Sequence, residues 1–262
     1  FAPIVGPLGV SFIVALCAGL CVLILKPRAN RWFASLGLIG IFALGLLCYQ
    51  IPWSTPTGKP LRVSLVQSNV PQMTQWQPGA IAGIVHRYVH LSAPYWSKSD
   101  LIVWSENAIP LPENRARFIL NSLKNKAKKT NTTLILGIPI PTKMAYYNAL
   151  VMLGKNQGRY LKRHLVPFGE YIPFDSWLRG AIRFFDLPMS DFVAGPSHQP
   201  LLNVDGHLIA PFICYEIAYS ELVRQDLPRA QLLLVISNDA WFGHSSAAWQ
   251  QLQIAQMKSV SS

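Results

Sequence analysis

The chain has 262 residues, room for one large domain or two small ones; 51% are hydrophobic and only 13% charged, too apolar for a wholly soluble protein. Its net charge of +11 reads at first as a nucleic-acid signal, but no Asp or Glu occurs before Asp100, the early cations flank apolar runs, and no interleaved aromatic and basic platform stands out. The balance points to a membrane surface and away from nucleic acid. Residues 4–25 and 32–49 are uncharged runs, each long enough to span a bilayer as a helix, the second closed by Ile51-Pro52-Trp53. The connecting Lys26-Pro27-Arg28-Ala29-Asn30-Arg31 carries three cations and no acid, so the positive-inside rule puts it in the cytoplasm and everything after Trp53 on the other side. A cleavable signal peptide fits less well, because no charged segment leads and there are two spans. Residues 1–53 are thus expected to be two transmembrane helices, and 54–60, with two prolines and a glycine, a linker.

A mixed α/β pattern fills residues 61–262. Leu61 to Ser68 alternates as a strand, and Ala80 to Trp96 has helical spacing interrupted at Pro94. Leu101-Ile102-Val103-Trp104 is a short buried strand. Glu113 to Lys129 predicts an amphipathic helix with Phe118, Leu120, Leu123 and Ala127 on its apolar side, an acid at its start and lysines at its end. Thr133 to Ile138 is a strand, and Tyr147 to Leu153 with Gly158 to Lys162 form a hairpin. Residues 167–195 are irregular and rich in proline and aromatics. A second hairpin pairs Leu201 to Val204 with Leu208 to Ile213 around Asp205-Gly206. A helix from about Ile217 to Val223, a strand from Leu232 to Ser237 and a helix from Ala247 to Lys258 complete a layered α/β domain with a mixed sheet.

Of four cysteines, Cys17, Cys21 and Cys48 lie in the apolar N-terminal part, and only Cys214 falls in the polar part, without a disulfide partner there. No zinc-type spacing of Cys and His occurs. Cys214 ends an apolar run and opens a helix, where free N–H groups favour a thiolate and the N–H of Tyr215 could meet an oxyanion. The same local sequence fits a buried small hydrophobe equally well. Glu106, just past the strand Leu101–Trp104, is either a working carboxylate or a salt-bridge and capping group; Lys162 is either a site cation or one charge of a basic run.

Trp104-Ser105-Glu106, Lys162-Arg163-His164-Leu165-Val166-Pro167-Phe168-Gly169-Glu170, Cys214-Tyr215-Glu216 and Asn238-Asp239-Ala240-Trp241-Phe242-Gly243 together resemble the nitrilase superfamily, and within it the apolipoprotein N-acyltransferases. The resemblance covers about Leu61 to the end. It implies a nitrilase-like αββα sandwich as the catalytic domain, preceded by the two membrane helices, and a Glu106, Lys162, Cys214 triad. The chemistry suits these residue types: a carboxylate takes the thiol proton, an ammonium steadies thiolate and oxyanion, and a thioester splits one acyl transfer into two.

The resemblance also assigns support roles to Glu170 and Glu216, places Tyr215 near the site, and makes Trp76 and Trp241 candidates for substrate binding. Trp76 fits an exposed aromatic at a membrane interface as well. His164 is expected to be structural, and Asn238 to Phe242 a pocket wall. By implication no cofactor or metal takes part. The resemblance further implies a phospholipid acyl donor, usually phosphatidylethanolamine, a diacylglyceryl-cysteine apolipoprotein as acceptor, and a catalytic domain on the periplasmic face of a bacterial inner membrane. Phe168, Tyr171, Phe174, Trp177, Phe184, Phe185 and Phe192 suit a lid dipping into lipid, or ordinary loop packing. Further membrane helices and the last strands of the sandwich are expected outside this sequence. A membrane-tethered amidase with the same triad is the alternative, and a non-catalytic binding protein a third reading that the complete triad argues against.

Overall fold

The structure, a computed structural model, describes residues 1–26, 30–56, 58–75, 77, 79–173, 191–227 and 229–261. Contacts divide the chain into two units, Phe1–Lys59 with Gln253–Ser262, and Pro60–Leu252. In the first, helices α1 (Ala2–Leu25) and α2 (Arg31–Tyr49) have 24 and 19 residues. At about 1.5 Å per residue they are roughly 36 and 28 Å long, against a hydrocarbon core of about 30 Å. By length and composition both can cross a membrane. They pack antiparallel: a Cβ added at Gly37 would touch Leu20, and one at Gly45 would touch Phe1. Small residues let the two backbones approach. Gly6, at a φ of 64°, kinks α1 just before Pro7.

In the second unit a five-stranded sheet runs β1 (Val63–Val66), β2 (Leu101–Trp104), β3 (Thr133–Pro141), β4 (Tyr146–Gly154) and β5 (Gly158–Leu161), in that spatial order. The first three strands are parallel, and β3–β4 and β4–β5 are antiparallel. A three-stranded sheet holds β6 (Leu202–Val204), β7 (His207–Ile213) and β8 (Leu232–Ile236), with β6 antiparallel and β8 parallel to β7. The helices are a short α3 (Gln72–Gln75), α4 (Ala80–Ser92), α5 (Arg117–Lys129), α6 (Ser220–Asp226) and α7 (Ala247–Val260), the last crossing the division at Gln253.

Strand β2 explains the layering. Alternate side chains point to opposite faces. Ile102 and Trp104 enter a core with Ile84 and Tyr88 of α4 and Leu120, Leu123 and Ala127 of α5. Leu101 and Val103 enter another, with Leu150 and Met152 of β4 and Ile209, Ile213 and Ile236 of the second sheet. Helices, first sheet and second sheet therefore stack, and a strand buried on both faces reads as an unbroken apolar run. Each large aliphatic group so buried contributes about 1.5–3 kcal/mol.

Three expectations change. The helix from Ala80 stops at Ser92, because Pro94 cannot continue it, and a 3-10 turn Ala93–Tyr95 follows. Helix α5 starts at Arg117, not Glu113, so no acid lies in its first turn, and Phe118 is 87% exposed. Phe118 sits roughly 200° around the helix from Leu120, on the solvent side. The helix expected near Ile217 is a 3-10 turn, Cys214–Ala218, followed by α6. The Asp205-Gly206 hairpin turn is present, with φ of 53° and 92°, values suited to a tight two-residue connection.

Candidate active site

Glu106 lies two residues past β2, Lys162 one past β5, Cys214 one past β7 and Asn238 two past β8, so ends of strands from both sheets contribute. The backbone of Glu106 reaches its place because β3 carries glycine at 137: a Cβ there would lie 2.6 Å from the Glu106 Cα. Glu106, Lys162 and Glu170 are all buried, Lys162 to 1% exposure.

The Lys162 Nζ donates to Glu170 Oε1 at 2.9 Å and to Glu106 Oε1 at 3.4 Å. Asn148, the third residue of β4, donates its amide to the same two oxygens, at 2.7 Å for Glu106. Glu106 Oε2 accepts the backbone N–H of Asn238 at 2.9 Å, and Glu170 Oε2 that of Val166 at 2.9 Å. Burial works against the Lys162 ammonium, yet Glu106 and Glu170 outweigh it and hold it above the ordinary lysine value.

Cys214 takes a left-handed φ of 58° at the start of its turn. Burial pushes its thiol up to about 12, with Glu106 adding and Lys162 opposing. The expected thiolate-favouring helix start is therefore overridden: a short 3-10 turn aligns few dipoles, and loss of water dominates. The thiol is neutral at rest and hydrogen-bonded to Ser237.

Glu216, fully buried, staples the strand ends of the two sheets. Its Oε1 accepts from the backbone N–H of Arg163 at 2.7 Å and His164 at 3.0 Å, and its Oε2 from that of Ile213 at 2.8 Å. Tyr160 donates its hydroxyl to both oxygens. Burial pushes this carboxyl up and the three backbone donors pull it back. Beside it Arg163 pairs with Asp226 at 2.7 Å, both side chains less than a tenth exposed. His164 stacks 3.6 Å from the Tyr219 ring and has its basicity lowered by burial and by Lys162, an environment that matches a packing role. Tyr215 bonds the Tyr219 hydroxyl at 2.6 Å.

Of the residues expected here, Glu106, Lys162 and Glu170 share hydrogen bonds, Cys214 feels all three charges, and Glu216 supports the adjoining backbone. Trp241 sits 45% exposed in the turn Asp239–Phe242. Trp76 lies outside the described residues, as do Phe174, Trp177, Phe184 and Phe185 of the expected lid. Phe192 is buried at 6% and packs edge-on against Tyr146, so it belongs to the core, while Phe168 is about half exposed. Asn238, expected in the pocket wall, donates its backbone N–H to Glu106. Sequence reading missed Asn148 and Gln75. Gln75 donates to the Asn107 carbonyl at 2.8 Å and accepts from the Asn238 amide at 2.6 Å. Asn148 left one signal, a lone amide inside the apolar run Tyr146–Leu153.

The chain is similar to proteins named apolipoprotein N-acyltransferase. It is 42% identical to one from Pseudomonas aeruginosa over 262 residues, 96% of this chain and 51% of that one. It is also 42% identical to one from Azotobacter vinelandii, covering 99% and 52%. The chain spans about half the length of these curated relatives. Its fold resembles a CN-hydrolase superfamily protein from Xanthomonas campestris, with a TM-score of 0.55 at 20% identity over 77% of this chain and 72% of that one. A carbon-nitrogen hydrolase from Helicobacter pylori gives a TM-score of 0.51 at 18% identity, covering 76% and 68%. The carbon-nitrogen hydrolase model matches residues 62–262, and with the strand order and buried Glu-Lys-Glu cluster already described, the chain belongs to the carbon-nitrogen hydrolase family.

Proposed function

We propose that this chain carries the catalytic centre of a membrane acyltransferase. It would move a fatty acyl chain from a phospholipid, through a thioester on Cys214, to the N-terminal amine of a diacylglyceryl-cysteine apolipoprotein. One observation carries the reading: a buried Lys162 ammonium held between two carboxylates, beside the Cys214 thiol. The names of the relatives and two helices able to cross a bilayer support it. On this reading the α1–α2 loop is cytoplasmic and the domain after Trp53 sits on the opposite, periplasmic face.

A thiol raised to about 12 supplies almost no free thiolate near neutrality, so its proton leaves as the sulfur attacks. Glu106 takes that proton while the Cys214 Sγ bonds to the ester carbonyl carbon of the donor. Lys162 steadies the oxyanion. Collapse breaks the ester C–O bond, and Glu106 returns the proton to the leaving lysophospholipid alcohol. In the second half Glu106 accepts a proton from the incoming amine, the amide C–N bond forms, and the C–S bond breaks to restore the thiol.

The test is mass spectrometry of the protein in detergent with phosphatidylethanolamine alone. One hydroxylamine-labile acyl group should appear on Cys214 and be absent from Cys214→Ser. An adduct forming equally on Cys214→Ala removes the nucleophile. The family's carbon-nitrogen hydrolase description favours a second reading, hydrolysis of a small amide. Adding a diacylglyceryl peptide separates them: N-acyl peptide supports transfer, whereas free fatty acid alone means that water is the acceptor.

A further inference from the structure

We propose that His86 and His90 form a two-point chelate for one divalent transition-metal ion, a site apart from the reaction centre and independent of the acyltransfer reading. Ile84, Tyr88 and Ser92 mark the buried face of α4. His86 and His90 follow Ile84 and Tyr88 by two residues, roughly 200° around the helix, and both are exposed. Four residues apart, they stand one above the other with Cβ atoms about 5–6 Å apart. That spacing on one helix face presents two imidazoles to a single ion. The rings already face each other, with centres 6.3 Å apart and planes within 6°. Two imidazoles on one tetrahedral ion, each at a metal–nitrogen distance of about 2.0–2.1 Å, hold their ring centres about 5 Å apart, so side-chain rotation over about 1 Å closes the chelate. Among the described residues neither ring has a hydrogen bond or an ion pair, which leaves a nitrogen lone pair of each open to a metal.

The surroundings suit a cation. His90 lies in the last turn of α4, where carbonyls without a helical partner carry partial negative charge. Exposed Arg87 on the same helix opposes it, screened by water and salt. The support is firm: Ile84 and Tyr88 enter the core, and Tyr88 stacks on Trp104 with ring centres 4.7 Å apart. No Asp or Glu occurs before Asp100, and among the described residues no three metal-ligating side chains come together. Two imidazoles therefore supply the whole protein share of the coordination, and the other positions belong to water or an outside ligand, unlike a closed structural zinc site. Neutral nitrogen ligands without carboxylates select copper(II), nickel(II) or zinc over magnesium and calcium, with copper(II) tightest. The ion would clip together the last turns of a helix whose inner face holds Ser105, the neighbour of Glu106, through the Tyr88 hydroxyl.

Titrating the untagged full chain in neutral detergent with copper(II) held by iminodiacetate tests this, because that chelator leaves adjacent positions open on the metal. Electron paramagnetic resonance should show one bound copper per chain, split by two imidazole nitrogens. The second imidazole binds within the same molecule, so His86→Gln or His90→Gln should each weaken binding by roughly tenfold or more and leave a one-nitrogen pattern. Combining His90→Gln with Leu91→His keeps two histidines but sets them five residues apart, about 140° around the helix, and should bind no better than His90→Gln alone. These side chains are all exposed, so without metal the variants should melt with the wild-type Tm. A wild type that takes up no copper, uptake undiminished in His86→Gln, or recovery in the register-shifted variant overturns the chelate. The readout involves neither Cys214 nor turnover, so its failure leaves the acyltransfer reading where it stood, and a chain that never acylates Cys214 leaves the chelate standing.

Discussion

Replacing Glu216 by glutamine removes one charge and changes almost no volume, yet it should be costly. In the wild type the carboxylate takes three backbone N–H groups and the Tyr160 hydroxyl. A glutamine oxygen does best at the Oε1 position, keeping Arg163 and His164, and its NH2 group then points at the N–H of Ile213. A buried donor facing a donor costs about 1–3 kcal/mol. The two surviving bonds drop from charge-assisted to neutral, a loss of roughly 1 kcal/mol each. Against this, the amide avoids desolvating a charge that burial already disfavours, which puts the expectation near the lower end, about 3 kcal/mol. For a domain of this size each kcal/mol moves Tm by about 2–4 °C, so Tm should fall by roughly 6–12 °C. Heat unfolding followed by tryptophan fluorescence in detergent measures it, and Cys214 acylation should fall in parallel, because the stapled backbone adjoins Lys162. A Tm within about 2 °C of wild type, with acylation intact, would refute the staple.

Other outcomes follow from the same geometry. Alkylation of Cys214 by iodoacetamide should still climb about tenfold per pH unit at about pH 9–10, because burial raises the thiol to about 12; a plateau below pH ~9 would contradict that. The sign for stability is fixed: with a folded value above the unfolded one of about 8.5, the contribution is intact below 8.5 and is lost as pH climbs toward 12. Gly137→Ala should cost about 1–3 kcal/mol and most of the acylation rate, since its methyl would press on Glu106; normal acylation would show that β3 gives way. Arg163→Met should destabilise by about 3–5 kcal/mol, leaving Asp226 buried and unpaired, and Asp226→Asn in that background should restore part of the loss in Tm.

The sequence made the layers readable because β2 is apolar on both faces and the two expected hairpins have short connections. Phe118 misled because hydrophobicity was counted without the helix phase, and the phase depends on where α5 begins. Glu106, Lys162 and Cys214 stood out through their ordered blocks, and their convergence depends on strand ends that no local pattern records. Asn148 and Gln75 stayed hidden for a plainer reason: a neutral amide has no charge to explain, and its worth appears only when two partners arrive from distant segments. The Cys214 environment was misjudged because burial, which raises the thiol, is a property of the folded sandwich.

Glu106 and Lys162 ride on one sheet while Cys214 rides on the other. On the proposed mechanism, reactivity is thereby hostage to the gap between two layers, a distance set by buried side chains such as Leu150 and Ile209 packed between the sheets. Warming or repacking that interlayer filling would then shift Cys214 against Glu106 by fractions of an ångström long before the domain came apart, so acylation of Cys214 should fail while the protein is still folded.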